Sequence, residues 1–321
     1  MQFSDNPVLA TIITLSYNSP DLLGAIDSVL EQNYPRIEYV LVDDCSPAFS
    51  REDITNYIAQ NNKGNLEKIQ VLRNDKNYGV TYSFNLAICN SSGKYIFNLA
   101  GDDQFADANV ISDWVKAFEE TGSLIMTAYC DRYDETLKTR LMRFPEEYQV
   151  KMIKRDSPQE LFEKIAVENF IFGCCTARSR ACIEKYGFYN ECYRMIEDHP
   201  MNLFLLRHGQ KIAFFDRVVV KYRGGGISAV NHFNPIYEQE ADSILRNEAL
   251  PYSRNPQKLW KKYLVWKKRQ TQRRKFEAKL SVARGPGTRF FLRAQNWVRH
   301  PIRTVCNVIR HPKRILGIFK A

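Results

Sequence analysis

The sequence predicts an α/β fold in which a mostly parallel central sheet is flanked by helices and followed by a basic helical C-terminal extension. Segments typical of strands and of helices alternate along the first part of the chain, which is the pattern of a doubly wound sheet. With 44% hydrophobic and 26% charged residues among 321, the composition is that of a globular protein. No stretch reaches the roughly 18 consecutive apolar residues of a membrane-spanning helix, which argues against an integral membrane protein.

The predicted elements follow one another in a regular order. A β-branched apolar run predicts the first strand at residues 8–15. Ser19, Pro20 and Asp21 then offer an N-cap, a first-turn proline and a first-turn acid for the first helix. Another helix is predicted after Gly79. Further strands are predicted at residues 37–42, 68–73, 94–99 and 211–220.

The charge is divided sharply along the chain. Residues 1–251 contain 26 Lys and Arg against 35 Asp and Glu, whereas residues 252–321 contain 20 against Glu277 alone. An asymmetry of this size marks an appendage with its own partner. The sequence therefore predicts an acidic body over residues 1–250 and a basic tail over residues 251–321.

The composition of the tail predicts what it binds. Residues 256–321 interleave Lys and Arg with Trp, Leu, Ile, Val and Phe, as amphipathic helices on an anionic membrane surface do. We therefore expect a membrane-surface partner and no nucleic acid, although salt-dependent nucleic-acid binding is the alternative. The first residues lack the basic and small-residue pattern of a signal peptide. Together these features predict a cytoplasmic protein that is peripheral at the inner face of the cell membrane.

The cysteines are scattered along the chain without any C-x-x-C pair. This spacing suggests neither a zinc site nor a disulfide framework, and it predicts reduced, packed thiols. The eight residues are Cys45, Cys89, Cys130, Cys174, Cys175, Cys182, Cys192 and Cys306.

Polar side chains follow the predicted strands at the points where the strands end. In open α/β sheets, ligands bind in the crevice outside the carboxyl ends of the strands. We therefore expect one binding crevice formed by Tyr17, Asn18, Asp43, Asp44, Asp102 and Asp103.

Six motifs occur in a fixed order within residues 8–230. They are ITLSYNS at 13–19, VDDCS at 42–46, NYG at 77–79 with Asn85 beyond it, SSGKYIFNLAGDD at 91–103, IEDHP at 196–200, and YR at 222–223 with Gly226 and Ser228. In type and order they resemble family 2 glycosyltransferases, bacterial cell-surface polysaccharide type. The resemblance implies a GT-A fold, with a nucleotide-binding half over about 8–130 and an acceptor half over about 131–230. It also implies inverting transfer of a sugar from a nucleotide donor to a hydroxyl of a glycan or lipid-linked acceptor.

By this resemblance, Asp103 binds a metal ion and Asp102 contacts the ribose or the metal. A diphosphate leaving group needs its developing charge neutralised, and Mg²⁺ or Mn²⁺ is commonly held by one or two carboxylates plus phosphates. We therefore expect Mn²⁺ or Mg²⁺ as the cofactor. The sequence departs from the family's D-x-D-D pattern because Ala100 stands at the position of the first aspartate, which leaves the roles of the two acids open. A solvated turn is the alternative.

The same resemblance assigns the nucleotide contacts. Asp44 resembles the aspartate that accepts a hydrogen bond from the base, Asp43 could take this role instead, and either could simply cap a helix. A carboxylate suits the ring N–H of uracil or thymine, so a UDP-sugar donor is favoured and a dTDP-sugar stays open. The other predicted donor-binding residues are Leu15, Tyr17, Asn18, Arg73, Asn77, Gly79 and Asp102.

Inverting transfer needs a base that takes a proton from the acceptor hydroxyl. The family's catalytic aspartate matches Asp198, with Glu197 as the second choice, and the alternative is a pair of acids that favours a helix N-terminus. The glycine-rich segment at residues 222–228 predicts a lid that closes over the diphosphate. Lys221 or Arg223 would supply positive charge to it. A simple connector to the tail is equally consistent with these glycines.

Two other classes of protein account for parts of the pattern. A nucleotidyltransferase also uses paired aspartates, but it needs a glycine-rich phosphate loop after the first strand, and residues 14–20 contain none. A nucleic-acid or lipid-binding protein would act through the basic tail alone. The resemblance therefore implies a metal-dependent hexosyl- or N-acetylhexosaminyl-transferase.

Overall fold

The computed structural model describes residues 7–225 and 234–282, and within them a nine-stranded sheet is flanked by helices. The strands are β1 (Ala10–Ser16), β2 (Ile37–Asp43), β3 (Leu66–Arg73), β4 (Tyr95–Ala100), β5 (Gln104–Phe105), β6 (Ile125–Tyr133), β7 (Arg140–Phe144), β8 (Thr176–Ser179) and β9 (Ala213–Tyr222). The helices are α1 (Leu22–Leu30), α2 (Arg51–Asn61), α3 (Val80–Cys89), α4 (Val110–Thr121), α5 (Glu147–Arg155), α6 (Pro158–Ile165), α7 (Arg180–Tyr186), α8 (Asp198–Arg207), α9 (Pro235–Ile244) and α10 (Pro256–Val282).

The sheet is parallel in one half and mixed in the other. Strands β3, β2, β1 and β4 are neighbours in that order and run parallel. Beyond β4 the order continues with β8, β6, β9 and β5, and β7 pairs with β6. β8 and β5 run antiparallel to their neighbours, whereas β6 and β9 are parallel. This architecture confirms the predicted α/β class and brings the carboxyl ends of four parallel strands to one edge.

The centre of the sheet is buried on both faces. All of β2 is buried, and β1 is buried except for Leu15, as expected of strands covered by helices on either side. Aromatic rings anchor β4 to α4. The ring centroids of Tyr95 and Phe118, which stack, are 4.6 Å apart, and those of Phe97 and Trp114 are 5.9 Å apart. Such ring pairs add to the stabilisation that burial provides. The residues that follow β4 are therefore attached to a firmly packed strand.

Helix α1 begins later than the sequence predicted. It starts at Leu22, and no side chain caps it by hydrogen bonding. The Ser16 hydroxyl donates to the Ser19 hydroxyl instead (3.3 Å), and the Asp21 carboxylate pairs with Arg223. The predicted cap was wrong because Ser19 lies three residues before the helix, and Asp21, predicted for the first turn, stands at the N-cap position.

The chain divides into two compact units, Met1–Tyr263 and Leu264–Ala321. The first unit includes the beginning of α10, where Tyr263 is buried. Residues 283–321 of the predicted tail lie outside the described residues, and the predicted division at residue 250 stays a prediction. No helix in the described part of the chain is both long and apolar enough to cross a bilayer.

Candidate active site

The carboxyl ends of the four parallel strands lie side by side. The register pairs Ser16 with Asp43 across β1 and β2, and Asp43 with Arg73 across β2 and β3. Leu15 pairs with Ala100 across β1 and β4. The predicted donor-binding residues that end these strands therefore meet at one edge of the sheet.

Asp43 is completely buried and closes the turn after β2. Its carboxylate oxygens accept hydrogen bonds from the Ser46 hydroxyl (2.6 Å) and the Ser46 amide (2.8 Å). The Nε of Arg73 lies 3.8 Å from the same carboxylate, and the Asn18 amide donates to the Ser46 hydroxyl (2.8 Å). Because Asp43 has no exposed surface, its contacts shape the turn on which Asn18 and Arg73 rest.

Asp44 ties the loop after β3 to the end of β2. One carboxylate oxygen accepts from the Asn74 side chain (2.7 Å) and the Tyr78 amide (2.8 Å), and the other accepts from the Gly79 amide (2.7 Å). An ionised carboxylate offers about four acceptor positions, so one remains for a ligand. Of the two predicted alternatives, Asp44 is the one with any exposed surface, at 6% against 0% for Asp43.

Tyr17 is an exposed aromatic side chain at this edge. It is 46% exposed directly after β1. The next residue, Asn18, has a φ of 49°, a left-handed conformation that asparagine tolerates better than most residues. Leu15 is half-buried beside them. Tyr17 thus presents a ring face to any molecule that binds at the strand ends.

The loop at Asn77 and Gly79 is bound by an arginine 117 positions further along the chain. The Nη2 of Arg194 donates to the Asn77 carbonyl (2.8 Å), and its Nε donates to the Tyr78 carbonyl (3.3 Å). Gly79 has a φ of 96°, and a Cβ there would lie 2.3 Å from the Arg194 Cγ. Only glycine therefore allows Arg194 to approach this loop so closely.

Asp102 and Asp103 follow β4 at the centre of the edge. Asp103 is 1% exposed; one carboxylate oxygen accepts from the Arg223 amide (2.8 Å), and the other has no hydrogen-bond donor among the described residues. Burial, and then the charge on Asp102, raise the pKa of Asp103 well above its usual range. Burial also raises the pKa of Asp102. A buried carboxylate oxygen without a donor is costly, and a bound cation would satisfy it.

Arg223 holds the turn of the acid pair. Its Nε donates to the Asp102 carbonyl (2.8 Å), Nη1 donates to the Glu135 carbonyl (2.5 Å), and Nη2 pairs with Asp21. The guanidinium is therefore engaged with protein groups in this conformation. Residues 226–228 of the predicted lid lie outside the described residues. The second predicted lid residue, Lys221, lines a small pocket together with Asp27, Glu31 and Asp107.

The second pair of acids opens helix α8. The Asp198 carboxylate accepts from the Gly173 amide (3.0 Å) and the Asn169 side chain (3.2 Å). The Glu197 carboxylate also packs against Gly173, since a Cβ added to Gly173 would lie 2.7 Å from the Glu197 Oε1. Burial, followed by repulsion from Asp198, raises the pKa of Glu197 to about 8, and burial raises the pKa of Asp198. The surroundings of the pair therefore favour the protonated form of Glu197.

His199 does not join either pair of acids. Its Nε2 lies 2.8 Å from the Ile165 carbonyl, and burial lowers the pKa of the ring to about 4. A neutral imidazole bound to the backbone packs α8 against the end of α6.

Glu240 on α9 braces the segment that leads into the second pair. Its buried carboxylate accepts from three consecutive backbone amides, those of Arg194 (2.6 Å), Met195 (2.9 Å) and Ile196 (3.0 Å). Glu197 and Asp198 follow directly. The position of the acids thus depends on a helix more than forty residues further along the chain.

A short 3₁₀ turn, Gly173–Cys175, lies between the two pairs of acids. Gly173 donates to Asp198 as described, and Cys175 is near enough to Asp103 to be a minor contributor to the raised pKa of that carboxyl. Sequence reasoning missed this turn and its neighbours because none of them belongs to a motif. The residues it missed are Asn169, Gly173, Arg194 and Glu240.

Comparisons with known proteins agree with the fold. A model described as Glycosyl transferase family 2 matches residues 11–187. A Bacillus subtilis protein named for teichuronic acid biosynthesis, the glycosyltransferase TuaG, is 27% identical over 169 residues, which cover 52% of this chain and 60% of TuaG. The aligned part is thus less than two thirds of that relative.

Two solved structures share the fold. S. aureus TarS 1–349 in complex with UDP-GlcNAc superposes with a TM-score of 0.58 at 16% identity, over 88% of this chain and 79% of that one. The mannosyltransferase PcManGT from Pyrobaculum calidifontis, in complex with GDP-Man and Mn²⁺, has a TM-score of 0.55 at 14% identity, over 94% and 83% of the two chains. The fold is therefore of the GT-A type. Since the family model covers more than half of the chain and includes the crevice at the strand ends, the protein belongs to glycosyltransferase family 2.

Proposed function

We propose that this chain is an inverting glycosyltransferase that moves a sugar from a UDP-sugar to a hydroxyl of a glycan or lipid-linked acceptor. The observation that supports it best is the Asp103 carboxylate, which is buried at the sheet edge with one oxygen lacking a donor among the described residues. The turn Gly173–Cys175 lies between Asp103 and a second pair of acids that includes Asp198. The Gly173 amide donates to Asp198, and Cys175 is near Asp103. A cation-binding acid and a base on opposite sides of one crevice are what such a transfer requires.

The acid pair after β4 fits a divalent cation with a preference for oxygen. Asp103 would hold it through the oxygen that has no donor, and the half-buried Asp102 would contact it or the ribose. Mn²⁺ or Mg²⁺, when bound, supplies the positive charge that a departing diphosphate needs. Arg223 keeps the turn in place through its bonds to both residues.

On the acceptor side, Asp198 would act as the base. As the acceptor oxygen bonds to the anomeric carbon and the bond from that carbon to the diphosphate breaks, the proton of the hydroxyl passes to Asp198. The carboxylate is oriented by the Gly173 amide and the Asn169 side chain, which both donate to the same oxygen, and by the backbone amide of His199. Glu197, whose protonated form is favoured by its surroundings, would donate or pack beside it.

A uracil base suits the strand-end edge. Asp44 retains one acceptor position for a ring N–H, and Tyr17 offers an open ring for stacking. The TarS structure contains UDP-GlcNAc, whereas the PcManGT structure contains GDP-Man. Thymine has the same ring N–H as uracil, so a dTDP-sugar is the alternative donor. Guanine is the comparison that the binding experiment must include.

The pathway we propose is assembly of a surface polysaccharide on a lipid carrier. Support comes from the relative named for teichuronic acid biosynthesis and from the charge of the tail. Along α10, the basic residues are spaced around all sides of the helix, so this part of the proposal rests on charge and not on an apolar face. An anionic membrane surface at the inner face of the cell membrane would attract such a segment.

Calorimetric titration of UDP, dTDP and GDP, each with and without Mn²⁺, tests the proposal. We expect metal-dependent binding of UDP that is lost in Asp103→Ala. Failure of all three nucleotides to bind the folded wild-type protein would overturn it. Flotation with vesicles of anionic and of neutral lipid tests the tail separately, since binding only to anionic vesicles, lost on deletion of residues 256–321, is the expected result.

A further inference from the structure

We propose that Cys130, Cys174 and Cys175 form a binding site for one thiophilic metal ion, with Zn²⁺ as the ion that cells supply. The three thiols come from two distant parts of the chain: Cys130 lies in β6, and the other two lie in the 3₁₀ turn Gly173–Cys175. This site is separate from the carboxylates assigned to the donor, and its existence does not depend on the proposed function.

The geometry supports a single ion. The three sulfur atoms all lie within 4.8 Å of one another. In a tetrahedral zinc site with Zn–S bonds of about 2.3 Å, ligand sulfurs are roughly 3.8 Å apart, so movements of about an ångström would complete the coordination. Local contacts fix the turn that carries two of the thiols, since the Thr176 hydroxyl donates to the Phe172 carbonyl (2.7 Å).

The burial of the three thiols favours a metal over a surface reaction. Cys130 and Cys175 are 2% and 1% exposed, and Cys174 is partly exposed, which leaves one route of entry. None of them forms a disulfide, and pairing any two would leave the third unpaired. A three-thiol set is instead a common partial ligand set for zinc, with water or a fourth group completing the tetrahedron.

The chemistry of the donors distinguishes this site from the neighbouring acids. Sulfur ligands select Zn²⁺ and other soft ions, whereas Mg²⁺ and Mn²⁺ prefer the oxygens of Asp102 and Asp103. Each thiol that binds the ion gives its proton to solvent, so binding strengthens as pH rises. A millimolar excess of Mg²⁺, about the level that saturates a carboxylate site, should not displace the ion.

Occupation of the site would fix the turn on which the second pair of acids depends. The same turn carries the Gly173 amide that donates to Asp198. An ion held by Cys174 and Cys175 would therefore restrain that amide. This consequence, unlike the site itself, rests on the proposed role of Asp198 as the base.

The test uses the full-length, fully reduced and metal-free protein, titrated with Zn²⁺ and, in parallel, with Co²⁺. With millimolar Mg²⁺ present to occupy the carboxylates, we expect one tightly bound Zn²⁺ or Co²⁺ ion per chain and, with Co²⁺, the thiolate charge-transfer absorption of a tetrahedral sulfur site. Cys174→Ser and Cys130→Ser should each weaken binding by at least about a hundredfold, more than losing an outer-shell partner typically does. Cys182→Ser is the matched control, because Cys182 is equally buried but lies outside the cluster, and it should bind like the wild type.

A second measurement needs no variant. Zn²⁺ should slow alkylation of Cys174 in the native protein and leave the exposed Cys89 and Cys192 unaffected, as peptide mass spectrometry would detect. Absence of a sulfur signature in the reduced wild type, or its persistence in a folded Cys174→Ser protein, would overturn the proposal. UDP titration of the same samples separates the two ideas: UDP binding without zinc binding rejects only the thiol site, and zinc binding without UDP binding rejects only the transferase.

Discussion

The two pairs of acids, Asp102–Asp103 and Glu197–Asp198, are similar in sequence and differ in how the fold positions them. The first pair follows a central strand within three residues, and Gly101 allows the close approach, because a Cβ there would lie 2.7 Å from the Ser19 hydroxyl. The second pair follows an irregular segment and is held by side chains and amides from elsewhere. One pair is positioned by the register of the sheet and the other by long-range contacts.

This difference affects how each pair responds to change. The buried acid of the first pair has an oxygen without a donor among the described residues, so its most direct partner would be a ligand. The acids of the second pair are enclosed by protein groups, and their raised pKa values come first from burial. We therefore expect changes at the first pair to alter binding and changes at the second to alter turnover.

The largest effect should come from Asp198→Asn. Loss of a general base typically lowers the rate by about 10²–10⁴-fold, and the amide cannot accept the proton. UDP-sugar hydrolysis and transfer to a soluble acceptor measure kcat, and calorimetry measures UDP affinity, which should stay within about twofold.

Glu197→Gln is the matched control for that variant. Since burial raises the pKa of Glu197 to about 8, glutamine resembles the protonated form that the surroundings favour. We expect it to retain kcat within about tenfold. If Glu197→Gln were inactive and Asp198→Asn active, the roles of the two acids would have to be exchanged.

A smaller effect, of about a hundredfold on affinity, is expected from Asp103→Asn. The amide keeps the shape but loses the charge that would hold a divalent cation, so the metal-dependent part of UDP binding should disappear. Asp53→Asn, on the exposed face of α2, is the surface control. Metal-dependent UDP binding that survives in Asp103→Asn would move the metal to Asp102.

The same contrast explains how much of the site could be read from the sequence. Apolar runs and strand-end acids predict the parallel strands and the edge to which Asp44 and Asp103 belong, because both follow from local pattern and sheet register. The brace from Glu240 and the turn at Gly173 have no such signal. They are separated from Asp198 by 42 and 25 positions, and only tertiary packing brings them together. Nothing in the sequence indicated that Asp21 pairs with Arg223, and the helix that Ser19 was predicted to cap begins only at Leu22.

Glu240→Gln should lower kcat about tenfold. The carboxylate accepts from three amides, and an amide side chain has only one acceptor oxygen, so at least one backbone N–H loses its partner. We expect kcat to fall while the donor KM is unchanged. A parallel change in KM would mean that Glu240 also supports the donor loop through Arg194, and Arg194→Lys would then reproduce it.

The smallest effect concerns the dependence of stability on pH. The pKa of Glu197 is raised by burial from 4.5 to about 8, so between these pH values the folded state binds more protons than the unfolded state. Stability contributed by the protonated acid is therefore lost as pH rises through this window. Glu197→Gln removes the titrating group, and the variant should gain stability relative to the wild type from about pH 5 to about pH 8. Urea unfolding across this range measures the difference. Curves that remain parallel would mean that Glu197 keeps an ordinary pKa, and the second pair would then be as open to solvent as a surface turn.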